Sequence, residues 1–243
     1  MSAFVGEIIG TMILMLLGNG VVANSLLKNT KGHDSGLIII TAGWGMAVFV
    51  AVWVSAAASG AHLNPAVTIG LAAAGPKFFE WALVPTYIGG QILGAALGQI
   101  LVWLAYRDHY NQTEDADMIR STFCNTPAVR SYLNNTITEA VGTFVLVFAV
   151  LMAAPMELGN GEPIGLGALG ALPVGLLVFG IGMSLGGPTG YAINPARDLI
   201  PRIVHAILPI PNKGGNDWAY AWVPVVGPIL GGLAAAGLYV ILS

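Results

Sequence analysis

Apolar residues run almost unbroken through six stretches of this chain, at about 3–24, 37–58, 82–105, 132–153, 165–185 and 219–242. Each is long enough for a membrane-crossing α-helix, which needs about 20 residues, and none alternates over roughly ten residues as a barrel strand does. The pattern predicts an all-α membrane protein with six transmembrane helices. Two further apolar stretches are too short to cross. They begin at Asn64, Pro65, Ala66 and at Asn194, Pro195, Ala196, and the first ends near Ala74. An Asn followed by Pro reads as a helix start: the Asn side-chain oxygen caps free N–H groups, and Pro at the first helical position has no N–H to lose. A helix that starts inside a bilayer leaves backbone groups without water, which is tolerated only where protein or a wet cavity surrounds them. Two re-entrant half-helices around a pore or binding site follow.

The chain also repeats itself. Gly-Glu-Ile-Ile-Gly-Thr at 6–11 returns as Thr-Glu-Ala-Val-Gly-Thr at 138–143, and Asn64 returns as Asn194, at offsets of 132 and 130 residues. Gly-Gln-Ile-Leu-Gly-Ala at 90–95 returns as Gly-Pro-Ile-Leu-Gly-Gly at 227–232. The chain therefore reads as one membrane domain, 1–243, built of repeats at about 3–105 and 132–242. A polar loop, 106–131, joins them and carries Arg107, Asp108, Glu114, Asp115, Asp117, Arg120 and Arg130. A shorter link with Glu157 and Glu162 lies inside the second repeat. Three crossings per repeat is an odd number, so the second copy enters from the opposite face. Inverted repeats bring the two half-helix N-termini together near the midplane, as at the binding sites of transporters.

Composition narrows the class. Apolar residues make up 56% and charged residues 9%, with 33 Gly, against about 25% charged in soluble domains. A net charge of −3 with scattered basic residues gives no nucleic-acid footprint. The single Cys124 rules out an intramolecular disulfide. His33, His109 and His205 read as surface residues without metal-ligand spacing, and neither metal nor cofactor is expected. Gly90, Gly94 and Gly98 put a smooth stripe on one face of the third span for close helix packing. Glu7 and the lack of a basic leader argue against a cleaved signal peptide.

The intramembrane polar residues carry the chemistry. Each half-helix N-terminus bears about half a positive charge, so two facing ends oppose cations. The amides of Asn64 and Asn194 would point N–H donors into the lumen and orient a passing oxygen. Arg197 lies at membrane depth, which costs about 2.5–3.5 kcal/mol even on the lenient insertion scale, so it must face water or a partner. A pair with Asp198 is the alternative, but sequence neighbours point to different helix faces. Asp198 reads as support for the surrounding loop. Glu7 and Glu139 occupy equivalent positions beside the two re-entrant loops. Paired carboxylates could relay protons or accept hydrogen bonds from unwound backbone, and their retention in both copies favours the scaffold. His62, replaced by Ala192 in the second copy, reads as a loop or pore-wall residue.

Ser-Gly-Ala-His-Leu-Asn-Pro-Ala-Val-Thr at 59–68 and Gly-Tyr-Ala-Ile-Asn-Pro-Ala-Arg-Asp at 190–198 resemble the paired signatures of the aquaporin, or major intrinsic protein, family. The resemblance covers the whole chain. Asp198 after the Arg, and the long segment before the last span, resemble the glycerol-conducting branch. The resemblance implies six spans, two half-helices, a right-handed bundle and a homotetramer with one pore per subunit. By motif position it implies a narrow filter of Trp44, Gly182, Tyr191 and Arg197. Water-selective members are similar except for a His where Gly182 stands, so Gly182 is expected to leave space. Tyr191 stands where glycerol facilitators often have Phe, and its hydroxyl could narrow the filter or bond the solute.

The expected function is a passive channel for glycerol and similar neutral solutes, with some water flux. Water alone, dihydroxyacetone, urea or protonated lactic acid are alternatives within the class, and a proton-coupled secondary transporter is the alternative outside it. No nucleophile and base pair stands at the pore motifs, so an enzyme is not expected. Ser184, near Gly182, reads as a small packing residue. A short chain without tails suggests a bacterial plasma membrane. The family topology puts both termini in the cytoplasm, with Lys28, Lys31 and the basic residues of 106–130 outside, against the positive-inside rule.

Overall fold

A computed structural model describes residues 1–153 and 165–243. Among them lie ten α-helices: α1 (Ala3–Leu26), α2 (Gly36–Ser59), α3 (Pro65–Ala74), α4 (Val84–Ala105), α5 (Arg107–Gln112), α6 (Ala116–Ser121), α7 (Tyr132–Met152), α8 (Leu172–Thr189), α9 (Pro195–Ile207) and α10 (Val223–Leu242). Short 3₁₀ turns, Trp81–Leu83 and Gly167–Ala171, lead into α4 and α8. Six helices, counted with those turns, are long and apolar enough to cross a membrane. The all-α class holds, and no strand occurs among the described residues. The fifth span continues through Pro188 to Thr189, beyond the expected end at 185, and stops at the left-handed Gly190. Glu157 and Glu162 lie outside the described residues.

α3 and α9 start alike. Asn64 and Asn194 are extended residues whose side chains cap their helices, and Pro65 and Pro195 hold the first helical positions. The preceding spans also end alike, in a left-handed glycine: Gly60 at φ 76° and Gly190 at φ 75°. Only a residue without Cβ adopts that conformation freely, and it stops the helix there.

The packing is reciprocal. α1 lies against α4 and α7 against α10, while α3 packs on α10 and α9 on α4. Each half-helix therefore rests on the last span of the other half of the chain. Glycine stripes close these contacts. A Cβ at Gly90 would lie 2.9 Å from the Glu7 Cβ, and one at Gly227 would lie 2.7 Å from the Glu139 Cβ. With no hydrophobic drive between helices in lipid, such backbone approach supplies the van der Waals contact that holds the bundle.

The outer surface keeps large apolar side chains such as Ile38, Trp53, Leu133 and Ile241 exposed, as a lipid-facing wall requires. Ser184 is exposed there too, so it does not pack within the chain as the sequence suggests. The joining loop differs from expectation as well. α5 and α6 fold over a second core in which Tyr110, Ile119 and Phe123 are fully buried beside Leu27 and Val102. Asp115 caps α6 through the N–H groups of Asp117 and Met118 at 2.8 and 3.0 Å. Burial pushes the Cys124 thiol up to about 12, which keeps it protonated.

The glycine stripe gives a direct test. A Cβ at Gly94 would run into the Ile8 carbonyl oxygen and lie 2.9 Å from the Thr11 Cβ, whereas one at Gly89 meets only Phe4, at 3.6 Å. Gly94→Ala should destabilise the protein by about 1–3 kcal/mol, the usual range for overpacking. Gly89→Ala should leave the thermal unfolding midpoint in detergent unchanged.

Candidate functional site

The loops before α3 and α9 are twins in backbone as well as in sequence. Ala61 and Leu63 have φ 54°, and Tyr191 and Ile193, 130 positions later, have φ 41° and 44°. These are left-handed conformations that non-glycine residues adopt at an energetic penalty, and such outliers gather at functional sites. A carboxylate holds each loop. Glu7 accepts from His62 N (3.0 Å), Leu63 N (2.8 Å), Ser59 Oγ (2.6 Å) and Gln91 Nε2 (2.8 Å). Glu139 accepts from Ala192 N (3.0 Å) and Ile193 N (2.7 Å). Both carboxylates are buried with all oxygens directed at the loops.

The two half-helices meet through their caps. Asn64 Oδ1 accepts from Ala66 N at 2.9 Å, and its Nδ2 donates to the Ile193 carbonyl at 2.7 Å. Asn194 Oδ1 accepts from Ala196 N and Arg197 N, and its Nδ2 donates to the Leu63 carbonyl at 2.8 Å. An amide nitrogen carries two hydrogens, so each Asn keeps one N–H beyond these bonds.

A cavity of about 150 Å³ runs past this junction, against roughly 10–15 Å³ needed to hold one water. Its lining joins apolar side chains from the spans, Leu14, Val48, Val52, Leu146, Val150 and Val178, to Asn64, Asn194, Arg197, His62 and the re-entrant segments Gly60–Leu63 and Tyr191–Ile193. His62 packs against both Phe79 and Tyr87, at ring distances of 4.5 and 4.7 Å, with Nδ1 3.2 Å from Thr68 Oγ1.

Trp44, Tyr191 and Arg197 come together on this lining. The Arg197 guanidinium lies 4.4 Å from the Trp44 ring centre, a cation–π distance, and its buried Nη1 has no hydrogen-bond partner among the described residues. The Trp44 ring rests on α1 where Gly18 leaves room: a Cβ there would contact the ring at Cζ3, Cε3 and Cη2. Gly182 stands differently from expectation. It is absent from the cavity lining, and a Cβ on it would lie 2.7 Å from Tyr191 Cζ and 2.9 Å from Thr41 Cγ2. The space it vacates is filled by the Tyr191 ring rather than left to the lumen.

Asp198 pairs with neither Arg197 nor solvent. It forms a fully buried ion pair with Arg202 at 2.7 Å and accepts from Asn125 N at 2.6 Å. Arg202 also donates to the carbonyls of Asn125, Asn216 and Asp217, which ties two loop segments to α9. The sequence reading missed Arg202 and Asn125, although the Asp198–Arg202 spacing of one helical turn was available as a signal. His205, expected at the surface, is fully buried. Its Nδ1 lies 2.6 Å from Asn216 Oδ1 and its ring packs edge-on to Phe123, because the 208–217 segment folds back over it.

Two capped half-helices meeting inside a bundle of membrane-length helices, with a half-polar cavity past their tips, define a transmembrane conduit. The chain matches the major intrinsic protein family over residues 1–239, and it belongs to that family. It is 54% identical over 239 residues to the "probable glycerol uptake facilitator protein" of Thermotoga maritima, covering 98% of each chain. It is likewise 54% identical over 235 residues to the glycerol uptake facilitator protein of Streptococcus pneumoniae R6, covering 97% of each. Among solved structures, the aquaglyceroporin from Plasmodium falciparum superimposes with a TM-score of 0.83 at 32% identity, over 98% of this chain and 94% of that one.

The Asp198 cluster yields a stability prediction. Asp198→Ala strands a buried guanidinium and should cost about 3–5 kcal/mol, and adding Arg202→Met should recover most of that loss. Asp117→Ala breaks an ion pair whose carboxylate is 80% exposed and should change stability by less than about 1 kcal/mol. Thermal unfolding of the three variants in detergent separates these outcomes.

Proposed function

We propose that this chain is a passive channel for glycerol and similar small neutral solutes, with some water permeability, excluding ions and protons. The observation that carries the reading is the mixed lining of the cavity, apolar and hydrogen-bonding together. Valine and leucine side chains offer a surface to a carbon backbone. The spare N–H groups of Asn64 and Asn194, the Arg197 guanidinium and the re-entrant backbone offer hydrogen bonds to hydroxyls. The two relatives named above are called glycerol uptake facilitators and the solved structure is that of an aquaglyceroporin, which supports the same solute class.

In this reading Trp44, Tyr191 and Arg197 form the filter, with Gly182 behind Tyr191. Asn64, Pro65 and Ala66 with Asn194, Pro195 and Ala196 form the central constriction. A solute oxygen accepts from the Asn amides at the junction, where two helix ends of about half a charge each repel cations. Water held there points its hydrogens away from the amides, which interrupts a proton-conducting chain. Glu7 and Glu139 hold the re-entrant loops rather than carry protons, and no chemical step is assigned to the protein. The chain acts as one domain, 1–243, with repeats at about 3–105 and 132–242. It assembles as a homotetramer in a bacterial plasma membrane with both termini cytoplasmic.

Stopped-flow light scattering of proteoliposomes tests the proposal. Under an inward glycerol gradient the vesicles should reswell rapidly, with flux nearly linear in concentration and indifferent to a proton gradient. Saturable, gradient-dependent uptake would instead identify a coupled transporter. Trp44→Ala should raise the permeability of a four- or five-carbon polyol about tenfold, the scale on which a pocket discriminates small changes in size. Unchanged selectivity would remove Trp44 from the filter.

A further inference from the structure

We propose that Gly186, which does not line the cavity, is a positioning residue that sets the aperture at Tyr191 and with it the solute size the channel accepts. The proposal rests on the reading of Tyr191 as a filter wall. The Tyr191 ring lies along α8 over two glycines one helical turn apart. A Cβ at Gly186 would lie 2.7 Å from Cδ1 and 3.2 Å from Cε1, near the base of the ring. A Cβ at Gly182 would lie 2.7 Å from Cζ and 2.9 Å from the hydroxyl, at its tip. Distances under 3.0 Å are closer than carbon atoms approach without displacement, so both positions must lack a side chain for the ring to sit where it does.

The backbone cannot take up a displacement. Gly190 and Tyr191 are both left-handed, and the next two N–H groups are held by the Glu139 carboxylate at 3.0 and 2.7 Å. A methyl at 186 therefore has to be accommodated by rotation of the ring itself. α8 closes one side, and the Thr41 methyl stands by Gly182 at the ring's tip. The open side is the cavity that Tyr191 lines. The ring would swing into the lumen and narrow it. Among the described residues the buried Tyr191 hydroxyl has no hydrogen-bond partner, so packing against the two glycines and Thr41 fixes the tip in place of a polar contact. The Trp44 ring, on the same lining, is seated against Gly18 in the same manner.

The test uses Gly186→Ala, Gly187→Ala, Tyr191→Ala and the double variant Gly186→Ala/Tyr191→Ala, reconstituted in proteoliposomes with glycerol and water permeability read separately. Gly186→Ala should lower glycerol flux about tenfold, the discrimination typical of one methylene, while water flux falls less than about threefold. Gly187, on the same helix, has nothing within 4 Å of an added Cβ, and Gly187→Ala should leave both fluxes unchanged. The double variant should match Tyr191→Ala, since removing the ring removes the clash. If Gly186→Ala does not reach the membrane, a double variant that does and conducts like Tyr191→Ala still supports the seat. Wild-type fluxes in Gly186→Ala, or a double variant as defective as Gly186→Ala itself, would overturn it. A Tyr191→Ala variant with unchanged selectivity would show instead that Tyr191 is no filter wall, and the failure would then lie in the functional reading beneath the proposal.

Discussion

The two asparagine amides at the tips of α3 and α9 are the contact on which the structure depends. Each fills the first free N–H of its own helix and gives a hydrogen to a carbonyl of the opposite loop: Asn64 to Ile193, Asn194 to Leu63. The exchange binds the halves of the chain to each other at the depth where neither loop has water to turn to. An unsatisfied backbone group in such surroundings costs several kcal/mol. A shorter residue could cap but not reach across, and a charged one would bring an ion to the place where two positive helix ends already meet. Asn has the reach, the acceptor, the donors and no charge.

The electrostatics around this junction are close to balanced. Two helix ends contribute about one positive charge together, and Arg197 adds another. Glu7 and Glu139, behind the loops, oppose them. Asp198 and Arg202 neutralise each other at 2.7 Å and act as a rivet between α9 and the loops at 125 and 216–217. The charges are nonetheless sorted in space. Among these groups, Arg197 and the asparagines line the cavity while the carboxylates face the backbone. A solute passing the junction meets donors, so oxygens are welcome and cations are not.

Much of this was legible because local chemistry dictates it. Helix length and Asn-Pro caps act through residues within a turn of themselves, and the glutamates, whose partners lie more than 50 positions away, showed themselves by recurring in both repeats, so six spans and two half-helices could be read off in order. The sequence reading went astray where a residue's meaning belongs to a distant partner. Gly182 looks like an opening until Tyr191, nine positions on, is seen lying in it. His205 looks like a surface residue until the 208–217 segment returns across it. The stretch 106–131 is polar by count, yet Tyr110, Ile119 and Phe123 find a core against α1 and α4 that no local pattern announces.

The identity of the loop-holding residues follows from strain. Each re-entrant loop keeps two non-glycine residues in left-handed conformation, Ala61 and Leu63 in one and Tyr191 and Ile193 in the other. Each such residue costs about 1–2 kcal/mol. Opposing this, each loop donates two backbone N–H groups to one carboxylate, and hydrogen bonds to a charged acceptor contribute about 1.5–3 kcal/mol apiece. The two quantities match within a few kcal/mol, whereas neutral acceptors at about 1 kcal/mol would only just offset the strain. A glutamine would also turn an amide N–H toward one of the loop donors. That is a physical reason for Glu at both 7 and 139 in a membrane interior that otherwise resists charge: the carboxylates hold the unwound backbone in its left-handed shape, with the Leu63 and Ile193 carbonyls placed to accept from the asparagines.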